Sequence, residues 1–278
     1  MSVNRKFKLL AAAALLFACL IYGGCANKED TVTAPKAEEQ EDLPVLVIGC
    51  DLYEPYSYVD NGGNFIGVDI ELAKEACARM GYEPEFKFIK WDEKKEILSD
   101  KEIDCIWSCF SINGRENDYL WVGPYFYSLQ SVAVLKSSDI NTIYELNDRN
   151  VAVQSSTKPE SIFLNQEKGI PNVKNVYCFA GMEEMFGAVK KGYVDACAGH
   201  ESALRSFIER DSGDFRILYE PLQKSSIGIA FDKQNGDREL AQKLSDTLND
   251  MHNDRTTAKI FEKYSISTEH IPEVSVVG

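Results

Sequence analysis

The stretch 103–125 carries the clearest chemical pattern in this 278-residue chain. A buried strand is followed by small polar residues, by an Asn-Gly turn and by a single arginine, Arg115. The small polar residues are Ser108, Cys109 and Ser111. Arginine binds a carboxylate through two parallel hydrogen bonds, and ligands of open α/β sheets sit at the carboxyl ends of strands. The pattern predicts a site for a small carboxylate. The alternative is a surface ion pair of Arg115 with Glu116 or Asp118.

Alternating strands and helices occur twice along the chain and would position such a site. The first unit predicts strands at 46–49, 85–90 and 103–107 and helices at 69–80 and 92–99. The second predicts strands at 150–153, 173–179 and 194–197 and helices at 159–166 and 182–190. Such alternation indicates parallel sheets, and both units end in a polar strand tip. The predicted fold is α/β, with two Rossmann-like lobes and the ligand in the cleft between them.

Two extended segments, at 132–136 and 227–231, are predicted to cross between the lobes as a two-strand hinge. The final helices, at 238–249 and 256–264, would return to the first lobe. These patterns predict lobe 1 at 43–135 and 227–270, lobe 2 at 136–226 and a C-terminal tail at 271–278. Two crossings of this kind predict hinge closure around a ligand.

The N-terminus has the pattern of an export signal. Three basic residues precede a 14-residue apolar run at 9–22, which is shorter than the ~20 residues that span a membrane. The sequence Gly-Gly-Cys that follows resembles a bacterial lipoprotein cleavage site, which implies a signal peptide at 1–25 and lipidation of Cys25. Cys19 is a second choice, and cleavage without lipid is the alternative. The acidic segment 26–42 is predicted to be a disordered tether.

The formal charge is −14, and removal of residues 1–25, with three basic and no acidic residues, leaves about −17. Such a charge argues against nucleic acid as a partner, although it says little about a small ligand. Apart from the signal, the chain has no apolar run of 18 residues.

The six cysteines beyond the signal lie mostly in apolar strand or helix patterns, which favours buried free thiols. They are Cys50, Cys77, Cys105, Cys109, Cys178 and Cys197. A disulfide between Cys50 and Cys109, near the predicted site, is the alternative. A metal site is not predicted, because the chain has no CxxC motif and its three histidines are scattered.

Residues 43–268 resemble the extracytoplasmic amino-acid-binding proteins of ABC importers, which have the type II periplasmic-binding-protein fold. The motifs that carry the resemblance, in order, are IGCDLYEPYSY (48–58), GVDIELAKEACARMG (67–81), WDEKKEIL (91–98), IDCIWSCFSINGRE (103–116), GPY (123–125), VAVQSST (151–157) and VDACAGHESA (194–203). The resemblance implies a monomeric receptor without a cofactor, anchored by lipid to the outer face of the cell membrane. It would close on an amino acid and deliver it to a permease driven by an ATPase.

The resemblance also implies roles for individual residues. Tyr53 would stack on the ligand side chain, and Trp91 would form a second wall. The strand tip, through Ser108, Cys109 and Ser111, would meet the α-amino and α-carboxylate groups. Arg115 would bind the carboxylate, although several relatives have this arginine one residue later. Ser156 and Thr157 would cap the carboxylate from a helix N-terminus.

His200 departs from the family pattern, which has an aspartate there for the α-ammonium group. A protonated histidine would repel an ammonium group. Glu201 could take this role after a shift of one residue, or Asp51 could take it from the other lobe. Alternatively, the ligand lacks an α-amino group or has a second acidic group that His200 binds. In a fourth interpretation His200 points elsewhere and a water replaces it.

Two other classes of function share this fold. A ligand sensor usually continues into a transmembrane helix and a signalling module. A dehydratase-like enzyme needs an acid or base with a tuned pKa in the cleft, for which the only candidates are His200 and Glu201. The expected class is therefore a binding protein rather than an enzyme.

Overall fold

The computed structural model describes residues 43–211, 214–269 and 271–278. The predicted signal peptide, Cys25 and tether lie outside the described residues. Within those ranges, no helix is both long enough and apolar enough to cross a membrane.

The first unit contains six strands and two helices. In chain order they are β1 (Val45–Cys50), β2 (Tyr58–Val59), β3 (Phe65–Ile66), α1 (Val68–Met80), β4 (Glu83–Phe88), α2 (Lys94–Ser99), β5 (Cys105–Ser111) and β6 (Tyr119–Leu135). A short 3-10 turn at Trp91–Glu93 leads into α2. Helix α1 ends at Gly81, whose φ of 76° is in the left-handed region that glycine adopts most easily.

The remaining elements follow in the order β7 (Asn150–Gln154), α3 (Lys158–Leu164), β8 (Asn175–Phe179), α4 (Met182–Lys190), β9 (Ala196–His200), α5 (Glu201–Arg210), β10 (Phe215–Ile217), β11 (Gln223–Asp232), α6 (Arg238–Asn253), α7 (Thr256–Lys263) and β12 (Ser275–Val277). A 3-10 turn at Ile143–Leu146 precedes β7.

One mixed sheet joins the two units in the strand order β4-β1-β5-β11-β6-β9-β7-β8. Strands β4, β1 and β5 are parallel, as are β8, β7 and β9. Strand β6 runs antiparallel to β11 and β9, and β11 runs antiparallel to β5. The two parallel sets therefore run in opposite directions, so their carboxyl ends face each other. The predicted α/β class and the two central crossing strands are confirmed.

Each unit packs its own hydrophobic core. Ile48, Trp107 and Leu244 belong to the first-unit core, where α6 and α7 pack against α1 as predicted. Val132 and Val134, near the end of β6, pack in the second-unit core. The change from one core to the other therefore occurs within β6 before residue 132, earlier than the predicted boundary at 135.

Several elements differ from the predictions. Helix α5 begins directly at Glu201, where no helix was predicted. The C-terminal stretch 271–278, expected to be a tail, contains β12, which pairs with β6. All six cysteines of the described chain are free thiols, as predicted, and no bond joins Cys50 to Cys109. Cys178 is exposed, whereas the other five are buried.

Candidate functional site

The carboxyl ends of the two parallel sets enclose a cleft of about 470 Å³, part of it open to solvent. Every predicted ligand residue except Glu201 lines this cleft. These residues are Asp51, Tyr53, Trp91, Ser108, Cys109, Ser111, Arg115, Ser156, Thr157 and His200. Sequence analysis did not identify several further lining residues, which are Phe110, Gln154, Lys158, Met182 and Met185.

Arg115 brings a guanidinium group into the cleft. It donates to the carbonyl oxygens of Ser111 and Ser156, both at 3.3 Å, and lies 5.4 Å from the centre of the Phe110 ring. Among the described residues, no carboxylate forms an ion pair with it, so the alternative of a surface pair with Glu116 or Asp118 is wrong. Burial lowers the pKa of Arg115, which an anionic partner would offset.

The tip of β5 is fixed by a buried carboxylate on α1. Cys109 has a φ of 46°, and its backbone N–H donates to Asp69 Oδ2 at 2.6 Å. Tyr125 Oη donates to Asp69 Oδ1 at 2.8 Å. Burial raises the pKa of Asp69 to about 7, although both hydrogen bonds oppose the shift. Asp69 therefore holds the strand tip in shape, a role that sequence analysis missed.

Asp51 is the only carboxylate among the described residues that line the cleft. It accepts a hydrogen bond from Gln154 Nε2 at 2.6 Å, which joins the ends of β1 and β7. Burial raises the pKa of Asp51 to about 6, and the bond from Gln154 partly offsets this rise. Gln154 is a polar residue at the end of its strand, as several predicted site residues are. That position could have identified Gln154 as a site residue from the sequence.

The turn between β7 and α3 presents a carbonyl group to the first unit. Ser156 has a φ of 59°, and its backbone N–H donates to Glu160 Oε2 at 2.7 Å. The Ser156 amide is thus already occupied by the protein. Its carbonyl accepts from Arg115 and from Lys94 Nζ, both at 3.3 Å.

His200 lies among uncharged polar groups at the end of β9. Its Nδ1 is 2.9 Å from Ser128 Oγ, and its Nε2 is 3.0 Å from Gln130 Nε2. Burial, with a smaller effect of the Arg115 charge, lowers the pKa of His200 to about 3. The ring is therefore neutral at physiological pH.

Glu201 faces away from the cleft. Its carboxylate pairs with Arg205 at 2.7 Å, accepts from Ser131 Oγ at 3.2 Å, and lines a separate groove beside α5 and α7. The predicted alternative, in which Glu201 replaces the aspartate of the family after a shift of one residue, therefore does not agree with the structure.

The walls of the cleft are aromatic and thioether side chains. Tyr53 Oη accepts from the backbone N–H of His200 at 3.1 Å, which fixes this ring across the cleft. Trp91 packs on Phe110 with ring centres 5.0 Å apart. The indole N–H of Trp91 is buried and has no acceptor among the described residues. The described part of the chain contains no group of three His, Cys, Asp or Glu side chains that could hold a metal ion.

A cleft between two α/β units whose described residues offer an arginine without an ion-pair partner and one carboxylate is typical of the class of two-lobed solute-binding proteins. The chain matches the model of the bacterial extracellular solute-binding proteins, family 3, over residues 46–267, and it belongs to that family.

Relatives of known name bind amino acids. The histidine-binding periplasmic protein of Escherichia coli K12 is 27% identical over 225 residues, covering 78% of this chain and 86% of the relative. The L-cystine-binding protein TcyA of Bacillus subtilis 168 is 27% identical over 224 residues, covering 79% of this chain and 81% of the relative.

Solved structures agree with this family. Tv2483 bound to L-arginine superposes with a TM-score of 0.75 at 25% identity, covering 82% of this chain and 93% of that one. An ancestral arginine-binding protein bound to glutamine gives 0.71 at 27%, covering 79% and 97%. An ancestral amino-acid-binding protein described as a precursor of cyclohexadienyl dehydratase gives 0.70 at 26%, covering 79% and 95%.

Proposed function

We propose that this protein is an extracytoplasmic receptor that binds an amino acid and delivers it to the permease of an ABC transporter. The observation that carries the proposal is Arg115, a largely desolvated guanidinium that faces the cleft and has no carboxylate partner within the described part of the chain. A cation taken out of water is costly unless an anion accompanies it, and the α-carboxylate of an amino acid supplies that anion. Asp51 supplies the complementary charge for the α-ammonium group.

The other lining residues complete the proposed site. Tyr53 and Trp91 form apolar walls for the ligand side chain. The polar groups of the strand tips and of the turn before α3 provide further hydrogen bonds. They are Ser108, Cys109, Ser111, Ser156, Thr157 and His200. Glu201 has no role in this proposal, because its carboxylate faces the separate groove.

Closure of two lobes is the proposed motion. Lobe 1 is the predicted 43–135 and 227–270, shortened by residues 132–134 of β6, which pack in the second core with lobe 2 (136–226). The crossing strands β6 and β11 act as the hinge. A lipid on Cys25 would hold the receptor, as a monomer, on the outer face of the membrane through the tether at 26–42. The permease and its ATPase would then meet the closed, loaded form.

The protonation state of His200 favours a binding protein over an enzyme. A general acid or base works best when its pKa lies near the working pH. The pKa of His200 is lowered to about 3, far from that range. The reported relatives are binding proteins, and the neighbour described as a dehydratase precursor is itself an amino-acid-binding protein.

A thermal-shift screen of the purified protein against the twenty amino acids tests the proposal. A ligand at a hundred times its Kd stabilises the protein by about 2.7 kcal/mol, so a binding amino acid raises the melting temperature clearly. The shift should disappear in Arg115→Ala and persist in Arg205→Ala, which removes an exposed arginine outside the cleft. The proposal fails if no amino acid raises the melting temperature of the wild-type protein.

A further inference from the structure

Lys94 is a buried lysine beside the cleft, and it has no role in the binding scheme proposed above. It lies on α2, one helical turn before Leu98, and both side chains are turned inward. Lys94 is only 6% exposed, at a position where an apolar side chain is expected.

The ammonium group of Lys94 has neutral partners. Its Nζ donates to the carbonyl oxygens of Trp91 at 2.8 Å and Ser156 at 3.3 Å. It also lies over the Trp91 ring, 4.8 Å from the centre. Within the described part of the chain, no carboxylate lies within ion-pair distance of it.

The neighbouring carboxylates are engaged elsewhere. Asp51 accepts from Gln154 and from the backbone N–H of Leu52, and Glu160 accepts from the backbone of Ser156 and from the Cys178 thiol. Asp92 is exposed. Burial, then the charge of Arg115, lowers the pKa of Lys94 to about 8, so it remains largely charged at pH 7.

Lys94 and Arg115 form a donor-rich corner together with Trp91. Both cations donate to the carbonyl oxygen of Ser156, each at 3.3 Å, so the two charged groups are close neighbours. The buried indole N–H of Trp91 has no acceptor among the described residues. One carbonyl oxygen thus serves two cations, and the corner has more donors than acceptors. Such an imbalance selects a ligand rich in anionic oxygens.

A ligand that balances the charges of this corner needs one more anionic group than a neutral amino acid carries. The cations that line the cleft are Arg115 and Lys158, and Lys158 is already paired with Glu167 at 2.6 Å. Lys94 is not itself a lining residue, but its Nζ shares the Ser156 carbonyl oxygen with Arg115. Among the described residues, neither Arg115 nor Lys94 has a carboxylate within ion-pair distance, and Asp51 is the single carboxylate that lines the cleft. Glu160, outside the lining, acts on both cations only through its field. A ligand with two acidic groups and one ammonium group balances this set, whereas a neutral amino acid leaves one cation without a partner.

We infer that Lys94 is a specificity residue and that the receptor selects an amino acid whose side chain ends in an acidic group. This inference rests on the proposed function, since it concerns the same cleft. The α-carboxylate and the side-chain carboxylate share the corner formed by Trp91, Lys94 and Arg115, and Asp51 binds the α-ammonium group.

Isothermal titration of the full-length protein with matched acids and amides tests this inference. The ligands are L-glutamate, L-glutamine, L-aspartate and L-asparagine, because each acid differs from its amide in one terminal group. For at least one pair, the wild-type protein should bind the acid at least tenfold more tightly than the amide. Lys94→Met should reduce that ratio about tenfold, and Lys95→Met, at the adjacent exposed lysine, should leave it unchanged.

Different failures separate the two proposals. Preference of the wild-type protein for neutral or cationic amino acids overturns the inference and leaves the proposed function intact. An equal loss for acid and amide in Lys94→Met also overturns it, since that result means that Lys94 only supports the Trp91 wall. If Lys94→Met does not fold, two measurements still test the inference. One is the ratio of acid to amide affinity in the wild-type protein, and the other is the same ratio in Lys94→Arg, which should retain a preference for the acid. Absence of binding of any amino acid overturns both.

Discussion

At the scale of single residues, the proposed binding scheme assigns the carboxylate of the amino acid to Arg115 and its ammonium group to Asp51. Arg115 comes from the loop after β5 and Asp51 from the end of β1, so both belong to the first unit. Their partners across the cleft, Ser156 and Gln154, come from the second. The residues proposed to bind the ligand therefore also contact the opposite unit, so ligand binding should be linked to closure.

Replacement of Arg115 by lysine should show that geometry matters as well as charge. Lysine keeps the positive charge but loses the planar pair of donors that matches a carboxylate. A charge-assisted hydrogen bond contributes about 1.5–3 kcal/mol, so Arg115→Lys should weaken amino-acid binding about 10- to 100-fold in isothermal titration. Arg205→Lys, in an exposed ion pair, is the control. Unchanged affinity in Arg115→Lys would contradict a bidentate contact.

Asp69 should make the stability of the protein depend on pH. Its pKa rises from 3.8 to about 7 on burial, so between pH 4 and 7 the folded state binds more protons at this site than the unfolded chain. The contribution of Asp69 to the free energy of unfolding is therefore greatest below pH 4 and falls as pH rises through about 7. Asp69→Asn removes this titration.

Urea unfolding at several pH values between 4 and 8 measures the effect. The stability of the wild-type protein relative to Asp69→Asn should fall as pH rises through this window. Asp250→Asn, at an exposed helical site, should give no such trend. A difference between wild type and Asp69→Asn that stays constant, or that grows with pH, would show that the Asp69 carboxyl is not held at a raised pKa.

At the scale of elements, the turn between β7 and α3 has a constrained backbone at the edge of the site. Ser156 holds a left-handed φ of 59°, which lets its amide reach Glu160 while its carbonyl faces Lys94 and Arg115. A β-branched side chain is strongly disfavoured there, whereas glycine is not.

Ser156→Val should therefore destabilise the protein by about 1–3 kcal/mol relative to Ser156→Gly, as measured by urea unfolding. Ser156→Val should also weaken ligand binding, because the Ser156 carbonyl would be displaced from the two cations. The interpretation of the turn would be wrong if both variants unfolded at the same urea concentration.

Elements with a clear apolar stripe were predictable from sequence. Helix α4 lies at Met182–Lys190 as predicted, because its apolar residues recur at helical spacing. Strand β6 was predicted only near its end, because the polar residues Ser128, Gln130 and Ser131 interrupt its apolar pattern. Helix α5 was missed, since the strand tip at His200 passes into it without an intervening turn.

The candidate site was predictable where polar residues end strands, as at Ser108, Ser111 and Ser156. Site residues were not predictable where their role depends on a contact between residues far apart in the sequence. The bond of Asp69 to Cys109 spans 40 residues, and only the fold brings them together. Burial of Lys94 was equally inaccessible, because a helix of six residues has too few positions to define its buried face.

At the scale of the whole molecule, several contacts outside the cleft also join the two units. Tyr56 Oη is 2.5 Å from Ser202 Oγ, and Arg210 pairs with Glu54 at 2.9 Å. Tyr56 is fully buried, so loss of Ser202 as a partner would remove one hydrogen bond from a buried hydroxyl. These contacts should stabilise the closed arrangement without touching the ligand.

Ser202→Ala should therefore weaken the binding of every ligand by the same factor. The loss of about 0.5–1.5 kcal/mol corresponds to roughly a two- to tenfold rise in Kd, with the order of preference among amino acids unchanged. Ser206→Ala, one turn later on α5, is the matched control. A change in the order of preference would mean that Ser202 influences the ligand site directly.

The most direct measurement is a crystal structure of the protein with the amino acid that binds it most tightly. The proposed function predicts the ligand in the cleft, with its α-carboxylate hydrogen-bonded to the Arg115 guanidinium and its α-ammonium group next to Asp51. A ligand in the groove beside Glu201, or in the cleft with no carboxylate on Arg115, would contradict it.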